Sequence, residues 1–287
     1  MDSIGVVVPT YNCGEYISEC LESLLKQSYP PHQIVVCDDF SQDCTREVVL
    51  EYKRKYPKII ETVFNDKNYG IPQNFNGGLK RIRTKYVSIV AGDDFWHPDK
   101  LKLELKNIKK NPECRWAYSD SVLVDKDSNF LKPFRREHDG AQGDILFEVL
   151  THKMTLRNWL IEKQLLDSIG LFDENLFIFE DWDFKIRLAA ASHVKHVKHD
   201  SVFYRQHGEG ISHSNGKIYY ENLFNVFLKN RHLIDALPQK KKQVVIKNQR
   251  DNIALHINRY MKENCRFSIY KRLKFFMIKA VLNYQIR

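Results

Sequence analysis

The amino-acid pattern points to an α/β protein with a mostly parallel sheet and a helical C-terminal extension. Short apolar runs alternate with amphipathic stretches through the first half of the chain, and strands alternating with helices form parallel sheets covered on both faces. The runs end in Pro9-Thr10-Tyr11-Asn12, Asp38-Asp39, Asn65-Asp66 and Asp93-Asp94. In open parallel sheets ligands bind beyond these strand ends, and three acidic ends out of four suit a pocket that also holds a hard cation. Beyond residue 215 the pattern is helical.

Residues 4–8 (IGVVV) form the first run, closed by Pro9, and residues 34–37 (IVVC) the second, closed by Asp38-Asp39. Between them, residues 14–27 set Tyr16, Ile17, Cys20, Leu21, Leu24 and Leu25 at spacings of three and four, the repeat of an amphipathic helix. Residues 44–56 repeat it through Val48, Val49, Tyr52 and Tyr56. Strands at 59–64 and 86–91 bracket a helix around 72–83. A helix at 98–111 follows Asp93-Asp94, and the strand WAYSDSVLVD follows that. KPFRREHDGAQGD reads as a loop. The helix at 162–169 ends before Gly170, a C-cap signal, and the helix at 181–192 opens on Glu180-Asp181. The helical tail is interrupted at Leu237-Pro238.

With 287 residues the chain can bury a full core, as one large domain or as one domain with an appendage. The net charge of +9 is uneven. From Asn215 onward 16 Lys/Arg face 4 Asp/Glu, a net +12, whereas residues 1–214 carry −3. The basicity therefore belongs to the tail and not to the acidic strand ends. No apolar run reaches the 18 residues of a membrane span. The start, MDSIGVVVPT, lacks the basic and apolar regions of a signal peptide. The six cysteines form neither C-x-x-C nor a compact framework, so a cytoplasmic, disulfide-free protein is expected.

Six segments, VVVPTYNCGEYISECLESLLKQSYP, IVVCDDFSQDCT, the Asn68-x-Gly70 turn, VAGDDFWHPDKL, GLFDENLFIFEDWDFKIRLA and YRQHGEGIS, stand in one order over residues 4–212. In that order and spacing they resemble the family 2 glycosyltransferases, inverting enzymes with the Rossmann-like GT-A fold that binds nucleotide-diphospho-sugars. The resemblance implies a catalytic domain at 1–214, with a nucleotide-binding part to about 95 and an acceptor part from about 96. Residues 215–287 would be a basic helical extension. It also implies transfer of a sugar, from a UDP-sugar first of all, to a glycan or lipid-linked saccharide. A non-catalytic sugar-nucleotide-binding protein of the same fold is the alternative.

Carried over residue by residue, Pro9, Thr10 and Tyr11 would lie under the base, although a strand-ending turn explains them as well. Asp39 would accept the N3–H of uracil or thymine, or the N1–H of guanine, because an ionised carboxylate only accepts. Asp38 either caps the next helix or shapes the turn. Asn68 and Gln73 fall in the diphosphate segment, where the family commonly has an arginine at the position of Gln73, so either the metal would carry the phosphate charge alone or Lys67, Lys80 or Arg81 would help it. Asp93 and His207 would hold Mn2+ or Mg2+, and Asp94 would support them or meet the ribose, or else cap the helix behind it. Asp181 would be the general base, with Glu180 the alternate and Asp183 paired with Arg187. Trp182 either faces a sugar ring or fills the core. Acceptor contacts are expected from 130–160, including His152, Arg157 and Trp159.

The triplet Gly92-Asp93-Asp94 also resembles the palm of nucleic-acid polymerases, but these aspartates follow a parallel strand and not a hairpin. No nucleic-acid partner is expected. Nucleotidyl transfer to a sugar phosphate would need a Gly-rich, basic loop after the first strand, which Pro9-Thr10-Tyr11-Asn12-Cys13-Gly14 is not. Residues 266–282 place Ile269, Leu273, Phe276, Met277 and Ala280 on one face and four basic residues off it. Such a helix lies on an anionic membrane surface, making the protein peripheral at the inner face of the membrane, or docks on the catalytic domain.

Overall fold

β1 (Ile4–Thr10) is buried at every position and lies in parallel between β2 (Gln33–Asp38) and β4 (Tyr86–Ile89). In the computed structural model, which describes residues 2–207 and 217–263, β3 (Ile60–Phe64) extends the parallel set beyond β2. Of the connecting helices, α1 (Ile17–Leu25) and α2 (Thr45–Lys55) sit within the expected spans, and α3 (Ile71–Leu79) starts one residue before its expected span and ends four short of it. Ile17, Cys20, Leu21 and Leu24 of α1 pack into one core with Ile4, Val6 and Val8. The first strand runs two residues past its expected end: Pro9 and Thr10 still pair with Cys37 and Asp38. The missing Pro9 N–H falls on the β4 side, where β4 has already ended at Ile89, so no ladder bond is lost.

The second half departs from parallel order. After β5 (Phe95–Trp96) and α4 (Lys100–Lys110) come β6 (Cys114–Val124) and β7 (Phe130–Phe134). Next come α5 (Leu146–Leu150), β8 (Leu160–Glu162), α6 (Lys163–Ile169), α7 (Glu180–Ala191) and β9 (His193–Arg205). The sheet order is β3-β2-β1-β4-β8-β6-β9-β5, with β7 on β6. β8 is antiparallel to both β4 and β6, and β9 runs parallel to β6. The stretch expected as a loop is a strand at its start: Lys132, Pro133 and Phe134 pair with β6. Its exposed residues carry no apolar alternation, so only the partner strand defines it. α6 ends on Gly170 at φ 79°, the left-handed cap its position implies.

The chain divides into two compact units, Met1–Gly210 and Ile211–Arg287. In the second, α8 (Lys217–Lys229) packs with α10 (Gln239–Glu263), and α9 (Arg231–Asp235) precedes the break at Leu237-Pro238. Asp235 receives Arg231 at 3.0 Å and Lys242 at 2.7 Å. Among the described residues no helix is long and apolar enough to cross a membrane. The basic amphipathic stretch 266–282 lies outside them.

Candidate active site

Gly92 lies so close to the end of β1 that a Cβ on it would meet Thr10 Oγ1 at 2.8 Å and Thr10 Cβ at 2.9 Å. Only glycine lets the two backbones approach this closely. The approach sets Asp93 and Asp94 at the carboxyl ends of β1 and β4, where the strand order reverses. Asp93 is partly exposed and meets His207 Nε2 at 3.1 Å. Asp94 turns inward and accepts the Arg205 N–H on Oδ1 at 3.0 Å, leaving Oδ2 buried without a hydrogen-bond partner. Burial, reinforced by the charge of Asp93, pushes Asp94 up to about 8. Asp94 is no helix cap, since Asp99 holds that position for α4.

One accessible carboxylate, an imidazole beside it and an orphaned carboxyl oxygen behind suit a hard divalent cation. Among the described residues no three His, Cys, Asp or Glu side chains form a complete metal cluster. The other ligands of such an ion would be oxygens of a bound molecule or water.

Arg205 anchors this turn and is itself buried. Its guanidinium donates to the carbonyl of Asp93 at 2.8 Å, the carbonyl of Lys126 and Ser128 Oγ at 2.9 Å each, and the Glu19 carboxylate. Those contacts occupy it within the protein.

Beside Asp93 lie the ends of β1 and β2. Pro9 and Thr10 are buried, and Tyr11 is 44% exposed, its ring open to a planar ligand. Asp38 is fully buried and holds the turn by accepting from Ser41 and from Arg46 Nε at 2.5 Å. Asp39 accepts the N–H groups of Tyr69 at 2.9 Å and Gly70 at 2.8 Å, and Asn65 Nδ2 at 2.9 Å. Gly70 takes φ 85° to present its N–H, and Asn68 Oδ1 accepts the same group at 3.0 Å. Gln73 stands exposed in the first turn of α3.

The second acidic pair opens α7. Phe179, its N-cap, is held at φ 67°, a left-handed conformation uncommon outside glycine. Glu180 is buried, and burial together with the charge of Asp181 pushes it up to about 8. Burial also disfavours the charge on Asp181, but Lys185, aided by His152 and Arg157, outweighs it and holds Asp181 down to about 2. The Lys185 ammonium is 2.6 Å from Asp181, whose side chain is half exposed. Asp183 is buried and pairs with Arg187 at 3.0 Å. Trp182 fills the core, 2% exposed, with Nε1 donating to the Val149 carbonyl at 2.8 Å.

Asp181 faces a cavity at the surface. Phe134, Arg136, His152, Arg157 and Lys185 line it with Asp181, so the segment expected to meet the acceptor supplies most of its polar wall. Trp159 is buried behind, its ring 5.7 Å from Lys185 Nζ. Arg157 links the two acidic centres, since its charge lowers both Asp94 and Asp181. Sequence reasoning missed Arg136 and Lys185. The second was signalled by its place four residues after Asp181 on one helix face.

A mixed α/β sheet with acidic turns at its switch point and a cavity headed by a carboxylate is the architecture of a GT-A type of fold. The chain belongs to glycosyl transferase family 2, whose model matches residues 5–163. It is 27% identical over 277 residues to an uncharacterized glycosyltransferase of Rickettsia typhi, covering 93% of this chain and 82% of that one. It is 25% identical over 228 residues to Escherichia coli chondroitin synthase, covering 78% of this chain and 32% of the relative. The chain thus aligns with about a third of that enzyme. Among solved structures, S. aureus TarS 1-349 in complex with UDP-GlcNAc matches with a TM-score of 0.70 and 20% identity, over 94% of this chain and 77% of that one. The likeness gives the GT-A type of fold.

Proposed function

We propose that this chain moves a sugar from a UDP-sugar to a hydroxyl of a glycan or lipid-linked acceptor, inverting the anomeric centre, with Asp181 as general base. The observation that carries this reading is the division within the second acidic pair. Asp181 is ionised and opens on the cavity, whereas Glu180 is buried and pushed up to about 8. A base must be unprotonated and within reach of the hydroxyl it serves, so Asp181 is favoured over Glu180. The UDP-GlcNAc held by TarS and the polymer made by chondroitin synthase support the donor and acceptor classes.

The donor would lie along the ends of β1, β2 and β4, its base over Tyr11. Asp39 spends three of its roughly four lone-pair sites on Asn65, Tyr69 and Gly70, leaving one for a base N–H. Asn68 shapes that turn through Gly70. Asp93 and His207 would hold Mn2+ or Mg2+, which would neutralise charge on the departing diphosphate. Asp181 takes the acceptor proton as the oxygen bonds to the anomeric carbon and the bond to the diphosphate breaks. The transition state is oxocarbenium-like, as in glycoside hydrolysis. The basic stretch 266–282 would rest the enzyme on an anionic membrane surface at the cytoplasmic face.

Release of nucleoside diphosphate from a panel of sugar nucleotides, with Mn2+ or Mg2+ and a glycan acceptor, tests the reading. Asp181→Asn is expected to lose about 10²–10⁴-fold in turnover while keeping its affinity for the nucleotide. Asp93→Ala is expected to weaken metal-dependent nucleotide binding. Equal loss of nucleotide binding in both variants overturns this division of roles.

A further inference from the structure

We propose that the acceptor carries a negatively charged group, a carboxylate or a phosphate, close to the hydroxyl that is glycosylated, and that Arg136 and Arg157 receive it. This rests on the transferase reading and narrows its acceptor class. The cavity in front of Asp181 has three permanent cations on its wall, Arg136, Arg157 and Lys185, against one carboxylate. Lys185 and Asp181 satisfy each other at 2.6 Å. The two guanidinium groups remain, and neither has an ion-pair partner among the described residues.

Arg157 is built to offer its edge. Its guanidinium carbon lies 3.6 Å from the ring centroid of Tyr204 and 5.6 Å from that of Phe134, and these rings stack on each other at 5.7 Å. A guanidinium held flat on an aromatic face is fixed in orientation and keeps its N–H fork free for a planar oxyanion. The fork donates no hydrogen bond to another described residue. Arg136, exposed at the same cavity, gives one N–H to the His152 carbonyl at 3.2 Å.

Two further carboxylates nearby are engaged elsewhere, and Asp94 and Asp181 feel the charge of Arg157 without forming an ion pair with it. Glu137 pairs with Lys153 at 2.6 Å. Asp139 accepts the backbone N–H of Arg136 at 2.8 Å and both donors of Thr155 at 2.7 Å. Three other cations of this half of the sheet are matched: Arg135 by Asp120 and Asp200, Arg115 by Glu162, and buried Lys100 by Glu104. A neutral sugar entering the cavity would displace water from two unmatched cations without replacing that solvation in kind. An anionic group would take the fork in paired, charge-assisted hydrogen bonds.

The test is a binding comparison on the full chain loaded with UDP and Mn2+, using two matched probe pairs. One pair is a glucuronate-terminated disaccharide and its glucose-terminated counterpart. The other is a glycerol-phosphate-terminated oligosaccharide and its glycerol-terminated counterpart. At least one anionic probe is expected to bind about tenfold or more tightly than its neutral mate. That preference should fall as salt rises from about 0.05 to 0.5 M. Which pair discriminates tells carboxylate from phosphate. Arg157→Gln and Arg136→Gln should each cut the preference to about threefold or less, and Arg136→Lys should keep more of it than Arg136→Gln. Thermal melting confirms that each variant is folded, and exposed Arg136 supplies the decision if Arg157→Gln is not. Equal binding within both pairs, or a preference unchanged in Arg136→Gln, overturns the proposal. Nucleoside diphosphate release from UDP-sugars by the same preparations separates the two questions. Release without charge preference sinks the inference alone, and charge preference without release counts against the transferase reading alone.

Discussion

Lys185 decides in which form Asp181 is present. It lies one turn along α7, and without it burial would raise the Asp181 carboxyl, which is now held down to about 2. Activity that needs the ionised form is lost as pH falls through that value. Lys185→Met is therefore expected to move the acid limb of kcat/KM up by about two units or more, so that a loss of rate absent from the parent emerges as pH is lowered from 8 to 4. Glu180 works in the opposite sense. Its folded form keeps the proton up to about 8, whereas an unfolded glutamate gives it up near 4.5. Its contribution to stability is therefore complete below about pH 4.5 and is lost as pH rises towards 8. Glu180→Gln removes that loss, so urea midpoints at pH 5 and pH 8 should show the variant gaining on the parent at the higher pH. At this level the sequence carried much of the information: Asp93, Asp181, His207 and Arg157 were all named from it. It did not carry the contrast between Glu180 and Asp181, because burial depends on chain segments far away in sequence.

β9 was the least visible strand and holds much of the site together. Its buried Val197 and Val202 stand five residues apart, because its register with β6 shifts around Ser119 and Asp120, so that Ser119 pairs with Val197 and Ser121 with Val202. Such a bulge erases the two-residue alternation by which a strand is read. β8, with three residues, is too short to show a period, whereas β1, β2 and β4 were visible as apolar runs buried on both faces. The far end of β9 brings Arg205 to the acidic turn, where lysine cannot reproduce a fork that reaches two carbonyls, a hydroxyl and a carboxylate. Arg205→Lys is expected to cost about 2–3 kcal/mol in urea unfolding. The value lies below that of a fully buried pair because Glu19 is 44% exposed. Nucleotide affinity should fall with it, as Asp93 loses its backbone support.

For the molecule as a whole, the family model ends at residue 163, short of the second acidic pair at 180 and 181. The acceptor half therefore has to be argued from the cavity and its charges. The chain also separates by charge, −3 over residues 1–214 and +12 beyond, which motivates the membrane reading of the tail. Full-length protein is expected to sediment with liposomes containing anionic lipid, less so at high salt, and a chain ending at Ser214 is expected to stay in the supernatant. Binding by both, or by neither, removes that reading. Within Met1–Gly210, one strand end serves both acidic centres. Tyr204 seats Arg157, and its neighbour Arg205 clamps Asp93 and Asp94. Adjacent strand residues point to opposite faces, so one residue inserted just before Tyr204 would exchange the two. The seat of Arg157 and the clamp on Asp93 and Asp94 would then be lost in a single step, so this short stretch is expected to tolerate no change of length.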